Sequence, residues 1–237
     1  MGALQGKTVL VVGGSSGMGE ATALLAARAG ARVTIAARGR DRLAAAAKRI
    51  GHGVAPATLD ASSDSSVETF FGCGATWDHV VSCVGAGGRG LVRELEMSAA
   101  MAAMDGKFWA GVRIARRARI VANGSLTFVS GGLSQRPAAG AALIAAINGA
   151  LEKLSQGLAL EMAPIRVNTV SPGPVDTPMW DRYGAEMKQK FLEGAAARVP
   201  LKRVAQPVEI AEIVLFFMTN QFVTGTVVPL DGGSSLA

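Results

Sequence analysis

A doubly wound α/β fold is what this sequence predicts: a parallel sheet of about seven strands with helices on both faces. Three observations carry the prediction. Short apolar, β-branched runs alternate with helical stretches along the whole chain. The first of these runs, within 7–14, leads straight into a glycine-rich turn. No linker or internal repeat divides the 237 residues, so 1–237 is read as a single domain, long enough for a substantial core.

The elements follow in order. KTVLVVGG (7–14) reads as a buried strand, and GEATALLAARAG as a helix stopped by Gly30. ARVTIAAR (31–38) is a second strand. RDRLAAAAKRIG (40–51) is a second helix, again ended by glycine. Strands three to seven lie within 53–62, 78–87, 125–132, 165–173 and 225–233. His79 is expected at the start of strand four. Residues 142–161 form a long helix whose Leu143, Ile147, Leu151, Leu154 and Leu158 recur at helical spacing. One residue interrupts that helix. From Ala138 to Ala150 the only side chain able to hydrogen-bond is Asn148, a poor helix former, one turn after Ile144.

Bulk composition narrows the function classes. Hydrophobic residues make up 49%, which argues against disorder. The N-terminus shows no basic segment followed by a long apolar run, and no stretch is apolar enough to suggest a membrane span. Two cysteines, Cys73 and Cys83, are too few for a disulfide framework. A cytoplasmic protein is the expectation, with no membrane partner. The net charge of +6 includes Arg113, Arg116, Arg117 and Arg119, grouped on one predicted helix. Without interleaved aromatics or a recognition motif they read as a solvated face, so no nucleic-acid partner is expected.

GGSSGMGE (13–20) follows the first strand and opens the first helix. Glycines there let a backbone approach a pyrophosphate, and a helix N-terminus adds free N–H groups and a favourable dipole. The spacing departs from G-x-G-x-x-G. It resembles instead the T-G-x-x-x-G-x-G signature of the short-chain dehydrogenase/reductase family, with Gly13 in place of Thr and Gly14 as the first glycine. The resemblance runs through nearly the whole chain. TLDAS supplies Asp60, SPGPVDTP (171–178) matches the family's Pro-Gly motif, and VTGTVVPLDGG matches its C-terminal strand. It implies a Rossmann-type fold with a nicotinamide cofactor held by Gly13, Gly14, Ser15, Ser16, Gly17, Met18 and Gly19. Asp60 would contact adenine, and Gly85, Pro172, Gly173, Val175 and Thr177 would line the rest of the groove.

An NAD site usually offers an acid at the end of the second strand for the ribose 2′-hydroxyl. Here Ala37 stands at that position and Arg38 follows, with Arg40 and Arg42 nearby. Arginine can pair with a 2′-phosphate, so NADP(H) is expected over NAD(H).

The resemblance breaks at the catalytic residues. Alignment places Ile144 at the family's Tyr, Asn148 at its Lys, Gly131 at its Ser with Ser130 adjacent, and Lys107 at its Asn. The Asn-Asn-Ala-Gly motif becomes Ser82–Cys83–Val84–Gly85. Lys107 and Asn148 thus look exchanged between two helices; the opposing reading sends Lys107 to solvent and leaves Asn148 holding a water. Lys107, Asn148 and Ser130 are the candidate catalytic residues. Gly131, Leu143 and Ile144, with Met179, Trp180 and Tyr183 of a lid-like segment, are the candidate substrate pocket. No metal site is read. The resemblance further implies a small-molecule substrate and a homodimer or homotetramer built through the helices of 98–122 and 142–161. The expected activity is reduction of a small, largely apolar carbonyl, enone or imine, with a catalytically inactive or non-redox NADP(H)-binding protein as the alternative.

Overall fold

The computed structural model describes residues 2–85 and 87–237; Ala86, within the segment predicted to hold strand four, lies outside them. Seven parallel strands form one sheet in the order β3-β2-β1-β4-β5-β6-β7. They are β1 (Thr8–Val12), β2 (Arg32–Ala37), β3 (Ala55–Thr58), β4 (Thr76–Ser82), β5 (Arg119–Val129), β6 (Arg166–Pro172) and β7 (Val227–Leu230). The order reverses between β1 and β4, which opens a crevice at their carboxyl ends, where ligands bind in open α/β sheets.

Side chains of β1 alternate between the two faces, as a strand must. Val9 and Val11 enter one core with Val33 and Ile35, under α1 (Gly17–Arg28), α2 (Arg40–Ile50) and α8 (Pro207–Thr219). Leu10 and Val12 enter the other, with Val80, Leu126 and Phe128. That second core lies under α3 (Asp64–Gly72), α5 (Ala110–Arg117) and α6 (Ala142–Glu161). Cover on both faces explains why the strands read as unbroken apolar runs. α7 (Ala185–Arg198) lies outside this packing, after a 3-10 turn at Pro178–Tyr183.

Local chemistry sets the helix ends. α2 ends at Gly51, whose φ of 68° is the left-handed conformation that glycine adopts freely. α8 starts with Pro207 and a capping box between Gln206 and Glu209. Arg203 clamps the Glu209 carboxylate and, with the Gln206 N–H, pulls it down to about 2.

Two expectations are corrected. Arg119 does not share a helix with Arg113, Arg116 and Arg117. The helix ends at Arg117, Ala118 turns extended, and Arg119 begins a long β5 whose pairing with β4 shifts register between Trp77 and His79. The helix expected to run to residue 122 therefore stops short. His79 lies in the middle of β4 rather than at its start. It is buried, shares a 2.8 Å hydrogen bond with Ser125, and burial pushes its imidazole down to about 4.

Candidate active site

The glycine turn lies at the carboxyl end of β1, beside the crevice. Gly13 has a φ of +85°, and a Cβ there would come 2.6 Å from the Cys83 carbonyl oxygen. A Cβ on Gly14 would strike Ile35, and one on Gly19 would lie 2.3 Å from the Gly13 oxygen. These contacts explain why the turn between Gly13 and Gly19 cannot carry side chains at those three positions. Ser16 takes the N-cap position of α1 with an extended backbone, and its side chain makes no capping bond. The first-turn N–H groups of α1 are therefore left for solvent or an anion. Thr177 packs over the turn, its Cβ at 3.4 Å from where a Gly17 Cβ would sit. Ser15 and Met18 belong to the same turn, and Met18 backs onto the core.

Further walls come from neighbouring strand ends. Val175 is buried and pairs with Ala205. Gly173 allows β6 and β7 to close together, since a Cβ there would meet Asp231 at 2.7 Å. Pro172, the last residue of β6, has its carbonyl 3.3 Å from a Cβ built on Gly132. Gly85 faces the helix that carries Lys107, its oxygen 3.7 Å from a Cβ built on Gly106. Asp60, after β3, accepts from the Ser62 hydroxyl and N–H at 2.6 and 3.0 Å. Those bonds, with Arg38 and Arg113 nearby, hold its carboxyl below the usual range. Arg38 is exposed at the end of β2, and the Arg42 guanidinium lies over Gly39 beside it. The cradle of close-packed glycines, the open helix N-terminus and the basic corner at Arg38 fit a dinucleotide phosphate.

Lys107 and Asn148 are brought into contact, and the solvent-directed alternative for Lys107 is excluded. α4 (Met97–Met104) and α5 form one continuous helix, joined by a π-helical segment at Asp105–Trp109. Such widened turns recur at functional sites. This one turns Lys107 inward, where it is 8% exposed. Its Nζ donates to the Ser130 carbonyl at 2.6 Å and to Asn148 Oδ1 at 2.7 Å. Asn148 Nδ2 donates to the Gly131 carbonyl at 3.0 Å. The amide thus spans the buried face of α6, with Ile147 and Leu151, and is paired at both ends. Burial lowers the Lys107 ammonium to about 8, against the opposing pull of Glu152. An ammonium has three donors, and the protein occupies two of Lys107's.

Asn148 also explains the glycine at 131. A Cβ there would lie 2.8 Å from Asn148 Nδ2, so a side chain at 131 and this amide exclude each other. Ser130 presents its carbonyl, not its hydroxyl, to Lys107. Its Oγ turns away to Glu152 at 2.6 Å. Glu152, Ser134 and Ser171 escaped sequence reading, although Asn148 and Glu152 are one helical turn apart and share a face. Cys83, at the end of β4, has its thiol pushed up to about 12 by burial, so it stays neutral.

The candidate pocket residues divide. Ile144 is half-buried on α6, one turn before Asn148, and Leu143 packs beside Gly88. Trp180 anchors the lid-like segment. It stacks on Phe191 at 3.8 Å between centroids and donates its indole N–H to the Val175 carbonyl. Met179 and Tyr183 are half exposed, and the Tyr183 hydroxyl accepts from Arg182. In this arrangement Tyr183 does not meet Lys107. Among the described residues no group of His, Cys, Asp or Glu could hold a metal, and no helix is long and apolar enough to cross a membrane.

Comparison with known proteins agrees with this geometry. A family model described as enoyl-(acyl carrier protein) reductase matches residues 12–235. A short-chain dehydrogenase/reductase, ATR9 of Stachybotrys chlorohalonatus, is 34% identical, covering all of both chains. The reductase/Diels-Alderase MalC of Malbranchea aurantiaca superposes with a TM-score of 0.91 at 27% identity, covering 99% of this chain and 98% of that one. A small-chain dehydrogenase solved with NADPH gives 0.84 at 30% identity, covering 98% and 100%. The chain belongs to the short-chain dehydrogenase/reductase family.

Proposed function

We propose that this protein is an NADP(H)-dependent reductase of a small, largely apolar carbonyl, enone or imine, and that Lys107 takes the role usually given to tyrosine. The observation that carries the reading is the buried Lys107 ammonium, paired with Asn148 and the Ser130 carbonyl and with one N–H left over. The glycine turn and the N-terminus of α1 hold the pyrophosphate. Arg38, helped by Arg42, holds the 2′-phosphate. When bound, NADP(H) supplies the hydride.

The remaining chemistry falls to the chain itself. Ile144 and Leu143 offer an apolar surface that excludes water from the acceptor. The free N–H of Lys107 Nζ stabilises negative charge on a carbonyl oxygen and passes it a proton. An ammonium held near 8 is a competent donor at neutral pH. An iminium acceptor needs hydride alone and would use Lys107 only for orientation.

A second reading, an NADP(H)-binding protein without turnover, is favoured by Ile144, an apolar residue aligned with the family's proton donor. The two readings separate in one experiment. Lys107→Met should lower turnover of an NADPH-dependent reduction by about 10²- to 10⁴-fold while NADPH still binds. Unchanged turnover excludes the role of Lys107, and binding of NADPH without reduction of any ketone, enone or imine favours the second reading. We also propose assembly as a homodimer or homotetramer through α4–α5 and α6.

A further inference from the structure

Glu152 lies outside the residues given a role above, yet it is the most heavily bonded carboxylate near them. One of its oxygens, Oε1, accepts hydroxyl donors from three separate segments. Ser130 follows β5 and donates at 2.6 Å. Ser134 closes the next turn and donates at 2.7 Å. Ser171 belongs to β6 and donates at 2.9 Å. An ionised carboxylate only accepts, so it matches three O–H groups without conflict. The peptides so fixed are the ones whose carbonyls receive Lys107 and Asn148, at Ser130 and Gly131.

Charge points the same way. Lys107 forms no ion pair with a carboxylate among the described residues, and its direct partners are neutral oxygens. A buried ammonium without compensation is costly. The titratable groups acting on it are Glu152, from α6, and Cys83, after β4. The Cys83 thiol is neutral, which leaves Glu152 as the only negative charge acting on it among the described residues. Resting on the reading of Lys107 as the cation of the reaction centre, we infer that Glu152 is its positioning residue: it fixes the Ser130–Gly131 peptides and supplies the counter-charge across them.

The test reads the titration of Lys107 through stability, without a substrate. An unfolded lysine keeps its proton to about 10.5, whereas Lys107 in the folded chain loses it near 8. Between those values the unfolded chain binds more protons, so stability rises with pH. Thermal unfolding is followed from about pH 6 to 10.5 for wild type, Lys107→Met, Glu152→Gln and the double variant. The rise that Lys107→Met removes should begin near pH 8 in wild type. It should begin about one unit lower in the Glu152→Gln background, a roughly tenfold change in proton affinity. Glu152→Asp, which keeps the charge, should restore the wild-type onset.

Equal onset in both backgrounds overturns the inference about Glu152 and leaves the reading of Lys107 intact. No rise attributable to Lys107 in wild type overturns the reading of Lys107 itself. Ser171→Ala keeps the charge and removes one hydroxyl, and it remains informative if Glu152→Gln does not fold. Its onset should match wild type, and a shifted onset would mean that the hydroxyl cluster rather than the charge sets the titration.

Discussion

Gly131 shows how one substitution at this site constrains another. A serine there would bring its Cβ to 2.8 Å from Asn148 Nδ2, inside any allowed contact. Gly131→Ser should cost about 1–3 kcal/mol in denaturant unfolding, the usual penalty of overpacking. Adding Asn148→Ala should recover part of that loss, because the two residues touch and their effects are not independent. Lys107 makes the second argument at this scale. Its ammonium falls from 10.5 to about 8 on folding, so the folded state should gain about 3 kcal/mol as pH climbs through that window. A wild-type stability profile flat relative to Lys107→Met would remove that cost and, with it, the buried charge.

Among the elements, α8 depends on a residue outside itself. Arg166, on β6, donates its guanidinium to the carbonyls of Phe217 and Met218 in the last turn of the helix. A cation there satisfies orphan carbonyls and meets the negative end of the helix dipole. Arg166 is 5% exposed, so its loss also leaves a void. Arg166→Ala should destabilise the protein by about 2–4 kcal/mol, read from the urea midpoint, with little change in NADPH affinity. The helix from Met97 to Arg117 works in the opposite sense. Its ends are ordinary α-helix, and the π segment between them rotates one lysine into the crevice.

For the whole molecule, the sheet order sets where a ligand can lie, and the proposed preference for NADP(H) rests on the basic corner at the end of β2. Arg38→Ala should narrow the ratio of NADPH to NADH affinity by at least about tenfold, since a bidentate pair with a phosphate is lost. Fluorescence titration with both nucleotides measures it. An unchanged ratio would transfer the discrimination to Arg42 or remove it altogether. Light scattering on the eluting protein should give two or four times 24.2 kDa.

Much of this was written in the chain. Alternating apolar runs and helices dictated the doubly wound sheet, because strands covered on both faces admit few polar residues. Glycines at Gly14 and Gly19 marked the nucleotide turn, since backbone and side chains approach them too closely for a Cβ. Asn148 stood out as an amide on an apolar helix face. Other features depend on contacts across long sequence separations. Lys107 could have faced solvent, and the π turn, which no periodicity announces, aims it at Asn148. Arg119 read as helical until pairing with β4 drew it into a strand, because sheet hydrogen bonds outweigh local helix propensity. Glu152 carries no sequence signal beyond its place one helical turn after Asn148. Only folding gathers Ser130, Ser134 and Ser171 onto its one oxygen, for a carboxylate's role is fixed by the donors that surround it, and these come from three separate stretches of chain.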